Sequence, residues 1–250
     1  MENRSLMTKY RKIMVVVWCF MWLLILYCLL IPDRFTYLKL GLILGLCVNF
    51  RLTQLLFGSK VVVRRASALV GVIILIFVIF LMLPGRNYSI SSLRYRYIKC
   101  LLTYKGTHYH WGGGNSFGID CSGLVERGMI NAEFIQGIST FNPGLMRSAI
   151  SLWWFNRSAS ALGACYRGDT SQIMTSSSIN SVDYNYIHPG DLAVLADGVH
   201  VMAYLGKQKW IEADPKYMCV VIVYAPRPQD VYFTSPVHIM RWSILTKHND

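Results

Sequence analysis

The first third of the chain carries three long apolar runs, and the rest breaks into short apolar clusters separated by polar turns. Ile13 to Ile31, "IMVVVWCFMWLLILYCLLI", contains neither charge nor proline. At about 1.5 Å per residue, a helix of this length crosses the roughly 30 Å hydrocarbon layer of a bilayer. Ala66 to Leu83, "ASALVGVIILIFVIFLML", is a second such run, closed by Pro84 and Gly85. Between them lies Phe35 to Phe57, "FTYLKLGLILGLCVNFRLTQLLF", whose uncharged centre runs only from Leu40 to Phe50. Lys39 and Arg51 must therefore snorkel or face protein, and this piece either spans or lies at the interface. Residues 1–85 thus read as a membrane region with two to three transmembrane helices, at about 13–31, 37–57 and 66–83. Gly41 and Gly45 have the spacing that seats a neighbouring helix.

From Ser89 onward the pattern is that of a globular domain, 86–250. "SISSLRYRYIKCLLTYKG" places Leu93, Tyr97 and Leu101 on one helical face, with Arg94, Arg96 and Lys99 elsewhere. "CSGLVERGMINAEF" spaces Leu124, Val125 and Met129 as a helix does, which puts Cys121 at or near a helix N-terminus. Strand patterns follow at Asp191 to Ala196, His200 to Leu205, Lys209 to Asp214, Cys219 to Ala225 and Val237 to Leu245. One cysteine-bearing helix followed by an antiparallel sheet predicts an α+β class.

Composition and charge sharpen the membrane reading. The chain is 54% hydrophobic and only 15% charged, against roughly 25% charged in soluble domains. The first apolar run is too long for a cleaved signal and lacks a small-residue cleavage site, so it is expected to remain as an anchor. Arg4, Lys9, Arg11 and Lys12 favour a cytoplasmic N-terminus, and Lys60, Arg64 and Arg65 mark a second cytoplasmic loop if the middle piece crosses. Three crossings put everything after Pro84 outside, while two leave it in the cytoplasm. The net charge of +12 suits an anionic wall or lipid headgroups, and nucleic acid is not an expected partner.

There are seven cysteines, an odd number at irregular spacing with no C-x-x-C, which is neither a disulfide framework nor a zinc site. Cys165 and Cys219 are available to pair in an exported domain. A lone cysteine is usually a small buried apolar residue. Cys121 differs, because a helix start directs backbone N–H groups and positive potential at its sulfur and favours a thiolate. Of six histidines, His200 opens a strand, "HVMAYLG". The next strand, "KWIEADP", offers Glu212 and Asp214 on one face, as partners that could hold the imidazole.

With these residues assembled, "YHWGGGNSFGIDCSGL" resembles the Tyr-x-Trp-Gly-Gly…Asp-Cys-Ser-Gly signature of the NlpC/P60 papain-like cysteine peptidases, which cut peptides of the bacterial cell wall. "HPGDLAVLADGVHVMAYLG" is similar to the family's Pro-Gly-Asp-Leu strand and the histidine-bearing strand after it. The two motifs are collinear over roughly residues 90 to 225. The resemblance implies a papain-like fold with Cys121 as nucleophile and His200 as general base. It places Glu212 where the family most often has a histidine, with Asp214 as the alternative third residue. Tyr109 matches the family tyrosine near the oxyanion site, or is a packed aromatic. Asp120 and Ser122 match positions that in some relatives receive the amino end of a wall peptide; helix capping is the plainer reading. Gly112, Gly113 and Gly123 read as turn and close-packing residues.

The implied reaction is acyl transfer through a thioester, usually at the bond from γ-D-glutamyl to a diamino acid in peptidoglycan stem peptides, with no metal or cofactor needed. The implied location is the bacterial inner membrane with the catalytic domain on the periplasmic side. The alternatives are a papain-like acyltransferase or amidase acting on lipid or protein, and a catalytically silent membrane-bound module. The stretch between the Cys121 helix and His188 is longer than the family's usual spacer. Within it Trp153 and Trp154 either line a groove, rest at the membrane interface or close an enlarged core.

Overall fold

The computed structural model describes residues 2–58 and 60–246. They fall into two compact units, Met1–Ile31 with Phe35–Leu83, and Pro32–Arg34 with Pro84–Asp250. Three residues that the sequence pattern groups with the membrane region thus belong to the second unit.

The first unit is three helices, α1 (Glu2–Leu30), α2 (Thr36–Phe57) and α3 (Val61–Met82). Each is long and apolar enough to cross a membrane, with candidate spans Tyr10–Leu30, Thr36–Phe57 and Val61–Met82. The weakest run in the sequence is therefore a full-length helix. It packs on α1 through polar groups that hydrocarbon would leave unpaired: Trp18 Nε1 donates to Thr53 Oγ1 at 2.8 Å, and Thr53 Oγ1 donates back to Asn49 O at 2.8 Å. Gly45 faces Ile25 and Met21 of α1, while Gly41 has open space around it.

The second unit begins with α4 (Ile90–Leu102), capped by Ser89 Oγ accepting from Ser92 N at 3.2 Å. A short hairpin, β1 (Gly114–Asn115) and β2 (Gly118–Ile119), leads into α5 (Cys121–Ser139). The long spacer after α5 has its own structure. It forms α6 (Pro143–Trp154), α7 (Ala159–Gly163) and β3 (Thr170–Ser176). Asn142 caps α6, with proline in the first turn where no N–H is needed, and Leu145, Met146, Ala149 and Leu152 are its buried face. Trp153 packs against the main core, which suits the enlarged-core reading of that residue. The chain ends in β4 (Leu192–Leu195), β5 (Val201–Gly206), β6 (Lys209–Asp214), β7 (Cys219–Tyr224), α8 (Val231–Thr234) and β8 (Val237–Trp242).

The six long strands form one antiparallel sheet in the order β3-β8-β4-β5-β6-β7. Period-two alternation sends Leu192, Val194, Val201, Ala203, Ile211 and Ala213 into the core shared with α4, α5 and α6. Ala193, Leu195, Met202, Tyr204 and Trp210 enter a second core, closed by Ile179, Val182 and Phe233 from the connections. With both faces covered, β4, β5 and β6 are buried almost along their whole length, which gives their side chains fixed positions. All seven cysteines are free, so Cys165 and Cys219 are not paired.

Candidate active site

The start of α5 is built by the residues just before it. Asp120 is the N-cap, its Oδ1 accepting from Gly123 N at 2.5 Å, and Cys121 is the first helical residue. Gly112, at φ +77, turns the chain so that its N–H donates to Asp120 Oδ2 at 2.8 Å. Gly123 lies so close to the glycine loop that a Cβ there would sit 2.1 Å from Gly113 O. The glycines thus bring the loop under the first turn of α5, and the N–H groups of that turn lack intrahelical partners. The Cys121 thiol is buried in this turn.

His200 sits one residue before β5 and is 3% exposed. Its Nε2 is 2.7 Å from Glu212 Oε2, and Glu212, on β6, is fully buried. With Nε2 committed to the carboxylate, Nδ1 is the nitrogen left to hydrogen-bond the Cys121 thiol. Burial works against a charged ring here, but the hydrogen bonds to Cys121 and Glu212 and their charges outweigh it, and the His200 pKa is raised to about 10. Burial likewise pushes the Glu212 carboxyl up, opposed by His200. Glu212 Oε1 has no hydrogen-bond partner among the described residues. Among the described residues the imidazole is therefore the group that balances this buried carboxylate, and it does so best as imidazolium. Asp214 is also buried on the same strand and accepts from Lys216 N at 2.7 Å, while the hydrogen bond to His200 is made by Glu212.

Tyr109 is half-buried and joins the loop to the hairpin through a bridge to Ile119. Its phenol is pushed up to about 12 by burial and then by the negative charge of Cys121 and Asp120, so it stays a donor at neutral pH. Both Asp120 oxygens are taken by the chain's own donors. Besides the two glycine amides, Ser122 Oγ donates to Oδ1 at 3.0 Å, and Arg34 Nη2 lies 2.9 Å from Oδ1 and 3.1 Å from Oδ2.

Two residues near the thiol escape the sequence pattern. Tyr232, on the four-residue helix α8, stacks on the His200 ring with centroids 4.1 Å apart and planes 9° from parallel. A tyrosine in a short polar connection carries no periodic signal. Arg34, from the turn between α1 and α2, reaches Asp120, Ser122 and Glu126. The signal for it was Glu126, an acid amid the apolar residues of α5 that needs a buried cation.

A buried Cys-His-acid set in this chain order, with the cysteine opening a helix and the histidine on the following sheet, is a cysteine-hydrolase arrangement. Among solved structures, NlpC1 from Trichomonas vaginalis is similar at 19% identity over 63% of this chain and 46% of that one, with a TM-score of 0.41. The P60 domain of a Mycobacterium avium subspecies paratuberculosis antigen is similar at 18% identity over 60% of this chain and 95% of that one, TM-score 0.38. The peptidoglycan hydrolase RipB from Mycobacterium tuberculosis is similar at 19% identity over 60% and 65%, TM-score 0.37. No curated protein matches the chain. The family model described as "NlpC/P60 family" matches residues 106–234, a stretch that takes in Tyr109, Cys121, His200, Glu212 and Tyr232, and by that match the chain belongs to the NlpC/P60 family.

Proposed function

We propose that the protein is a membrane-anchored cysteine peptidase that hydrolyses an amide bond in peptidoglycan stem peptides, the bond from γ-D-glutamyl to a diamino acid. The observation that carries this reading is the buried chain of contacts from Cys121 through His200 to Glu212, inside the stretch that matches the family. The Cys121 thiolate attacks the carbonyl carbon, and the carbonyl oxygen takes up the negative charge beside the backbone N–H groups at the start of α5 and the Tyr109 phenol. His200 passes its proton to the leaving amine as the carbon–nitrogen bond breaks, leaving a thioester on Cys121. Water then gives a proton to His200 and attacks the thioester, releasing the acid and restoring the thiolate–imidazolium pair. Glu212 holds the ring and balances its charge throughout.

The proposed location is a bacterial inner membrane with this unit outside. Pro32–Arg34, between α1 and α2, belongs to the same unit as Pro84–Asp250. Both stretches must then face one side of the bilayer. If α3 crosses, α2 must cross as well, which with α1 supports three crossings over two. With Arg4, Lys9, Arg11 and Lys12 inside, that side is the outside.

Purified stem peptides incubated with the full chain in nanodiscs, with products read by mass spectrometry, test the reading. Wild type is expected to release the two halves of the peptide, and Cys121→Ala to leave it intact. Cleavage that survives Cys121→Ala, or no cleavage of any stem peptide, overturns it.

A further inference from the structure

Pro32, Asp33 and Arg34 are bound into the glycine loop as a strand would be. Arg34 N donates to Gly112 O at 3.0 Å, Gly114 N donates to Pro32 O at 2.9 Å, and Asp33 bridges antiparallel to Gly113. Asp33 Oδ1 is 2.8 Å from His110 Nε2, and Asn156 Nδ2 hydrogen-bonds Arg34 O. The loop's glycines make room for the arginine. A Cβ on Gly114 would lie 2.1 Å from Arg34 Cδ, and one on Gly123 would lie 3.2 Å from Arg34 Cζ.

The guanidinium sits beneath the first turns of α5 with only 10% of its side chain exposed. Nη1 bonds Glu126 Oε2 at 2.5 Å, and Nη2 reaches both Asp120 oxygens and Ser122 Oγ at 2.9 Å. One fork therefore ties the residues on both sides of Cys121 to a carboxylate one turn further along. Glu126 Oε1 accepts from Arg157 N at 2.8 Å. Burial pushes the Glu126 carboxyl up, and Arg34 is the largest influence holding it down, ahead of Arg157. The remaining neighbouring cation, Arg127, spends its Nε on Gly114 O at 2.7 Å.

We propose that Arg34 is a positioning residue for the cysteine centre: a cation supplied by Pro32–Arg34, the connection between the first two apolar helices, fixes the start of α5, so the catalytic unit includes a stretch of chain that precedes α2. A domain cut at residue 86 would lack it, leaving Asp120 and Glu126 as neighbouring buried carboxylates without their shared counter-charge. Lysine cannot substitute fully, because a single ammonium does not present the planar fork that spans both acids.

The inference rests on Cys121 being the reactive thiol, and its test does not require a peptide substrate. The full chain in nanodiscs is treated with iodoacetamide, and the alkylation rate of the Cys121 peptide is followed by mass spectrometry from about pH 6 to pH 9. Arg34→Met is expected to slow Cys121 about tenfold to a hundredfold. Its rate relative to wild type should fall as pH rises, because Glu126 now ionises with Arg157 as its nearest cation and Asp120 unshielded beside it. Adding Glu126→Gln should remove that pH dependence, and Arg34→Lys should be slower than wild type but without it. A relative rate near one at every pH, or a loss equal at all pH values that Glu126→Gln leaves unchanged, overturns the proposal. If Arg34→Met does not fold, Arg34→Lys carries the test, and a wild-type rate in that variant overturns the proposal. Absence of peptide cleavage with these alkylation results intact would sink the proposed substrate and leave Arg34's role standing.

Discussion

Glu212→Gln separates a charge-stabilised imidazolium from a merely hydrogen-bonded imidazole. The amide is the same size and still offers an oxygen to His200 Nε2–H across the 2.7 Å contact, but the negative charge is gone. The amide nitrogen falls where Oε1 now lies without a partner. For His200, the pKa of about 10 against an ordinary 6.5 is a net preference for the charged ring of roughly 5 kcal/mol, left after Cys121 and Glu212 together outweigh the cost of burial. If the Glu212 charge supplies a third of it, the alkaline limb of kcat/KM should move down by about one to two pH units. That limb belongs to the coupled Cys121–His200–Glu212 set, so its midpoint is read as a property of the set. The same raised pKa sets the stability trend. The ring's contribution is fully present below the unfolded value of about 6.5 and is lost as pH rises through about 10. Wild type should therefore melt at a lower temperature at high pH than at neutral pH, and Glu212→Gln should show a shallower fall. The assay is stem-peptide cleavage against pH, alongside melting of the same nanodisc samples and the Asp214→Asn control. A Glu212→Gln limb still near the wild-type midpoint, with kcat/KM barely changed, would refute the reasoning. So would a matching shift in Asp214→Asn alone.

Tyr232→Ala removes the ring stacked on His200 and is expected to lower kcat/KM about fivefold while moving the alkaline limb down, since a face-on aromatic favours the imidazolium by roughly 1 kcal/mol. Tyr232→Phe should keep both near wild type, and an equal loss in both variants would point to the hydroxyl instead. The proposed location, with three crossings and the second unit outside, predicts that protease added to intact spheroplasts digests that unit; protection of it until the membrane is opened would count against the proposal.

The parts legible in the sequence are those where a single local rule decides the outcome. Strands β4 to β7 read as short, nearly continuous apolar runs because both sheet faces are covered, and the motif around Cys121 holds its spacing because a capped helix start leaves little freedom. The edge strand β3 hid itself for a physical reason: "TSQIMTS" has a register shift between Gln172 and Met174, which puts neighbouring apolar residues out of alternation. Helix α6 has a readable cap and apolar face in "NPGLMRSAISLWW", but its two tryptophans are equally compatible with a groove, a membrane interface and a packed core, and local pattern does not separate these. Arg34 was hidden more deeply, because no local pattern ties a turn between two apolar runs to a helix about ninety residues on. What the sequence did display was the other half of that contact. Glu126 lies among Val125, Gly128 and Met129 on a helix whose first half is nearly all buried, and no acid can sit there without a cation. Arginines within the globular domain were the natural candidates, and Arg157 does contribute its backbone N–H. The guanidinium comes instead from outside the family-matched stretch, which starts at residue 106. The family match therefore takes in Cys121, His200 and Glu212, while the guanidinium beneath the start of α5 comes from Pro32–Arg34, a connection that the match leaves out.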